Sequence, residues 1–176
     1  MDKQAVLHAM DRDRTSFRTF LDSAEADLRR PTDGTRWNNR QLLFHMLLGY
    51  LVVRVLLVLV RVFGRLPVPI GRGFARLLNA ATVPFDAINY AGARVAGTAL
   101  PARQMAALFD WVTGSLRRRL DRETETDLSR GMHYPTRWDP FFQDYMTLAD
   151  VYRFPAQHFE FHSRQLTLGR SDRSDA

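Results

Sequence analysis

Two histidines, His158 and His162, stand four residues apart in the stretch FPAQHFEFHSRQL, in a chain with five histidines in all. On a helix that spacing turns one side chain from the next by only about 40°, so both imidazoles share a face. Leu148, Val151, Pro155, Phe159 and Leu166 mark the same face as inward, while Arg153, Glu160 and Arg164 fall elsewhere. Two imidazoles on adjacent turns of an apolar face are hard to satisfy with hydrogen bonds alone. A shared divalent ion would satisfy both, because neutral imidazole is the commonest metal ligand and HxxxH is a recurrent two-ligand spacing on a helix. The alternative is a pair of histidines bonded to carbonyls or buried waters. His45 sharpens the question. It lies inward near the start of another predicted helix, and if that helix runs antiparallel to the HxxxH helix, all three imidazoles meet at one end of a bundle. Three histidine ligands leave a position open, which is the layout of a catalytic site rather than a closed structural one. His8, near a chain end, and His133, in a predicted loop, read as surface or pocket-rim residues.

The elements that must position these residues follow from the apolar periodicity. Residues 2–29 read as one helix with Leu7, Met10, Phe17, Leu21 and Leu28 inward, broken by RPTDGT at 30–35. Asn38 caps a second helix, with Gln41 as its capping-box partner, running to about Phe63. Residues 64–102 read as an excursion packed over one end of the core. Within it FARLLNA and FDAINYAGARVAG are short helices separated by TVPF. A third long helix follows from Pro101, then a loop-like stretch, TETDLSRGMHYPTRWDP. Thr147 and Asp150 form the capping box of the last helix, expected over 147–168. Four long helices and no convincing strand predict an all-α protein, a four-helix bundle with a crossover connection and a helical excursion between the second and third helices. The boundaries are one domain over 1–168 and a polar, disordered tail over 169–176.

Composition limits the chemistry. The chain has 176 residues, enough for one core, and no cysteine, so no cysteine nucleophile, disulfide or iron–sulfur cluster is built from it. Net charge is +6, and of the 25 basic residues all but Lys3 are arginine. These arginines are scattered without interleaved aromatics, so nucleic acid is not expected as a partner. The N-terminal residues have no apolar signal core. The apolar run within 42–64 is interrupted by Arg54 and Arg61, which reads as a buried bundle helix rather than an integral membrane span. Peripheral membrane association is a minor alternative.

The stretches GTRWNNRQLLFHM, around His45, and MTLADVYRFPAQHFEFHSRQL, around His158 and His162, resemble the DinB/YfiT-like superfamily of metal-binding four-helix bundles. The order of the histidines is the family's, and the likeness covers most of the chain, with the excursion its least typical part. The resemblance implies a divalent ion, zinc or nickel above all, held by His45, His158 and His162. It also implies a cytoplasmic protein, a homodimer, and in some relatives the transfer of small thiols such as mycothiol or bacillithiol. The arginine-rich composition would suit an actinobacterial host that uses mycothiol. The function so implied is a metal-dependent S-transferase or related hydrolase, in which a small-molecule thiol arrives as cosubstrate and meets an electrophile. Gln165, one turn past His162, Asn38, Gln157, Tyr152 and Trp37 are candidates for the surroundings of the ion or its pocket. Trp37, Trp111 and Trp138 are candidates to line a pocket mouth, and PTRWDPFFQDY is expected to cover the site. The rival reading is a non-catalytic helical module that dimerises or binds a partner through 42–63 and 64–102.

Overall fold

The computed structural model of the chain describes residues 1–169. The expected polar tail, apart from Gly169, lies outside the described residues. The architecture is all-α, as the periodicity predicts.

Helix α1, Lys3–Leu21, is capped by Asp2, whose carboxylate accepts from the Ala5 amide at 3.1 Å. The stripe read as one helix to residue 29 is in fact two. The chain turns at Asp22, and a five-residue helix α2, Glu25–Arg29, follows. The break brings the Asp27 carbonyl to the side chain of Asn39, at 2.7 Å, on the next helix. That helix, α3, spans Asn39–Phe63 and starts with the expected capping box: Asn38 accepts from the Gln41 amide and Gln41 accepts from the Asn38 amide. Its length and composition alone would suit a membrane span, yet over half of the apolar window is buried in the fold. It is the central helix of the bundle, packed against α1, against α6 (Ala102–Arg122) and against α8 (Leu148–Ser163).

Helix α8 begins with the Thr147–Asp150 capping box and stops five residues short of the expected end. The cause is a set of contacts that draw the following residues away. The Asp33 amide donates to the Gln165 carbonyl at 2.9 Å, and the Thr167 amide donates to Asn39 Oδ1 at 2.9 Å. Asn39, fully buried, also donates to Thr167 Oγ1. One side chain therefore ties the start of α3 to α2 and to the end of the chain. The tight turn before α3 uses Gly34 at φ 71°, a conformation that costs glycine little.

The excursion is more helical than the sequence indicates. Helix α4, Val68–Ala80, and helix α5, Thr82–Ala99, are separated by Ala81 alone. TVPF is not a linker. Its Pro84 sits in the first turn of α5, where a missing N–H leaves no intrahelical bond unmade. Rather than capping an end of the core, α5 lies along α3. A Cβ on Gly97 would come 2.7 Å from the Gln41 Cα, so the glycine lets the two backbones approach. The stretch expected to be loop-like holds a short helix α7, Glu125–Ser129, and a strand β1, Gly131–His133, paired antiparallel with β2, Tyr145–Thr147. These three-residue strands fix both ends of the 134–144 loop. Trp138 pins its tip to the excursion, donating from Nε1 to the Leu78 carbonyl at 2.8 Å and stacking on Phe85 at 3.9 Å.

Candidate metal centre

His45, His158 and His162 come together at one end of the bundle because α3 and α8 run antiparallel. One ring nitrogen from each lies within 4.8 Å of the other two. His45 Nε2 is 3.1 Å from His158 Nε2 and 3.2 Å from His162 Nε2. Nitrogens bound to one tetrahedral ion at 2.0–2.1 Å stand about 3.3 Å apart, so this spacing matches a shared cation. Hydrogen bonding fits it less well. Gln165 Oε1 accepts from His162 Nδ1 at 2.7 Å. The proton is thus on Nδ1, and the His162 Nε2 lone pair faces its neighbours. His45 could donate from Nε2 to only one of its two partners. A cation accepts all three lone pairs.

Electrostatics agree. Burial pushes His45 down to about 3, helped by His162 and opposed by the Asn89 side chain. Burial, then the neighbouring His45 and His162, pushes His158 well below the ordinary imidazole range. Burial also lowers His162, against the Gln165 contact. All three rings are therefore neutral at neutral pH and free to ligate. The Nδ1 atoms of His45 and His158 are buried without a hydrogen-bond partner. His158 fits only because position 49 is glycine: a Cβ there would lie 2.7 Å from its Nδ1. Trp37 stacks on His45 with ring centroids 4.6 Å apart, holding the ring from the side, and its outer side lines an open polar cleft.

Three predicted neighbours are elsewhere, Gln157 being exposed on α8. Asn38 spends its side chain on the α3 cap. Tyr152 donates to Glu123 Oε1 at 2.9 Å, in a network with Arg61 that does not include the imidazoles. His133 is buried, not at a rim, and its Nδ1 is 3.1 Å from the Asp144 carboxylate; His8 is exposed as expected. Trp111 is exposed beneath the Arg54 guanidinium. Sequence reasoning missed Asp139 and Asn89. Asp139 Oδ2 lies 3.8 Å from His158 Nε2, and burial raises its carboxyl to about 6 against a bond from the Phe141 amide. The signal was a carboxylate set inside the apolar run WDPFF.

A cavity of about 460 Å³ opens beside the cluster between α3 and α5, and Trp138, Asp139 and Phe142 of the 134–144 loop close one side. The loop covers the site, as expected, and the excursion supplies the outer wall.

The fold and the three-histidine site define a DinB-type bundle. The DinB superfamily model matches residues 9–166, and the chain belongs to that superfamily. Searches among curated proteins and solved structures give no significant match.

Proposed function

We propose that this protein is a divalent-metal-dependent enzyme in which His45, His158 and His162 hold the ion, with zinc or nickel the leading candidates, and which transfers a small thiol to an electrophile or carries out a related hydrolysis. The observation that carries the reading is the 3.1 Å and 3.2 Å approach of three Nε2 atoms in neutral rings. A divalent ion held there would lower the pKa of a thiol or water that it binds, providing a nucleophile at neutral pH. The chain's own residues do the positioning. Gln165 keeps the proton of His162 on Nδ1, Trp37 holds the His45 ring, and Gly49 makes room for His158. Asp139 places a carboxyl beside the open side of the cluster, where it can take a proton or add a ligand. The thiol must come from a cosubstrate, since the chain has no cysteine.

The test is elemental analysis of untagged protein beside a His158→Ala/His162→Ala variant, followed by a screen of mycothiol-type thiols with electrophiles. About one ion per chain in the parent, absent from the variant, supports the site. No ion in either after zinc and nickel are offered removes the reading.

A second reading, an interaction module, draws on exposed apolar residues of the excursion: Leu77, Val83 and Val95 are 66%, 78% and 66% exposed. If these mediate homodimerisation, Leu77→Arg/Val95→Arg shifts the sedimenting species from dimer to monomer with metal content unchanged. A monomeric parent eliminates this module.

A further inference from the structure

The cavity beside the imidazoles is chemically one-sided. Its body is formed by Leu48, Val52 and Leu56 of α3, by Phe85 and Ile88 of α5, and by Phe154 of α8. The polar side chains on its lining, His45, His158, Asn89 and Asp139, belong to or adjoin the cluster. The lining holds no lysine, arginine or hydroxyl side chain. In the metal-free protein a buried anion or a sugar would therefore lose its hydration with nothing to replace it, and only an ion held by the imidazoles would offset the charge of an anionic head. The volume is that of a small-molecule site. The excursion exists in this fold as the outer wall of that volume.

We infer that this cavity binds a small ligand with an apolar alkyl or aryl body and a single uncharged polar head, the head directed at His45, His158 and Asp139 and the body lying between α3 and α5. The inference rests on the enzymatic reading only for its role: there, the cavity takes the electrophile. A hydrophilic cosubstrate would need another approach. A polar cleft lined by Thr35, Arg36, Asn38 and Arg94 opens beside Trp37, away from the apolar walls.

Gly92 makes the inference testable. It lines the cavity, and a Cβ built on it meets nothing within 4 Å, so a side chain can start there without a clash at its first atom. The probe is octanol, with octanoate and glucose as controls, titrated by calorimetry into untagged protein whose metal content is measured in the same sample. The expected result is saturable octanol binding, no glucose binding, and, in a chelated sample free of metal, at least about tenfold weaker octanoate binding. In Gly92→Phe octanol affinity should fall by about tenfold or more with melting temperature and metal content retained, while Ala91→Phe, at a neighbouring exposed position off the cavity, binds as the parent does. No octanol binding, octanoate binding as tight as octanol in the metal-free sample, or indifference to Gly92→Phe overturns the inference. Protein that takes up no ion when zinc and nickel are offered, yet binds octanol in this pattern, would sustain it while removing the metal-enzyme reading. Metal-loaded protein that ignores octanol would do the reverse.

Discussion

Gln165 has no metal-ligand chemistry of its own, yet it decides which nitrogen of His162 is free. Removing the acceptor, as in Gln165→Leu, frees the ring to take the other tautomer. Outer hydrogen-bond partners of ligating histidines are typically worth about 10–100-fold in metal affinity, and a loss in that range is expected in competition with a chromogenic chelator, with little change in helix content. Gly49→Ala tests the opposite side of the site. Alanine favours the helix, but its methyl occupies the space of the His158 ring, 2.7 Å from Nδ1. Metal content should fall while the circular dichroism of α3 persists; a parent-like metal content would show that His158 has room to move. At this scale the sequence was readable where spacing and face agreed, as for the three histidines and for Gln165, one turn beyond the pair. It was silent on Asn89 and marked Asp139 only as a carboxylate in an apolar run, because nothing in a single sequence says that the 134–144 loop and α5 converge on the cluster. Tyr152 misled for a related reason: sharing a helix with the pair does not fix which neighbour its hydroxyl finds.

The elements are held in place by buried polar contacts that periodicity does not reveal. Asn39 reads in the sequence as a first-turn residue of α3, but it joins α2, α3 and the segment after α8. Asn39→Leu leaves the Thr167 amide and the Asp27 carbonyl without that partner, and a loss of about 3 kcal/mol is expected in urea denaturation. Because Gln165 sits in the same segment, metal affinity should weaken with it. Between α1 and α3, Asp13 is buried and accepts from the Tyr50 hydroxyl at 2.6 Å. Burial raises its carboxyl from 3.8 to about 6, against the Tyr50 and Arg12 contacts. The folded state thus holds this proton more tightly than the unfolded state. Its contribution to stability is full below about pH 4 and is lost as pH rises through about 6. The shift corresponds to at most about 3 kcal/mol. Asp13→Asn should therefore be more stable than the parent at pH 7, with the gap closing towards pH 4, in paired denaturation curves; a gap constant with pH would contradict the assignment. The long helices and the capping boxes at Asn38 and Thr147 were legible because period and cap chemistry coincide. The break after Leu21 was not, since Leu28 continues the stripe across it. Strands of three residues are too short for a period to register.

For the whole molecule, the candidate site ties together α3 and α8, two of the four long bundle helices. An ion bound only by the folded state stabilises it by about 2.7 kcal/mol at a hundredfold excess over its Kd. In a domain of this size each kcal/mol moves the melting temperature by about 2–4 °C, so chelation should lower it by several degrees in the parent and leave His45→Ala unmoved. Equal responses to chelator would place the stabilising ion elsewhere. The antiparallel pairing of α3 and α8 also sets an order in time. His45 and His158 are 113 residues apart in the chain, so the first ligand leaves the ribosome long before the second is made. The loop between them must close, and most of the bundle condense, before three nitrogens stand within reach of one cation. Unlike a zinc finger, whose ligands are local and whose ion drives its folding, this protein would take its metal last, as a folded bundle, from whatever pool the compartment offers at that moment.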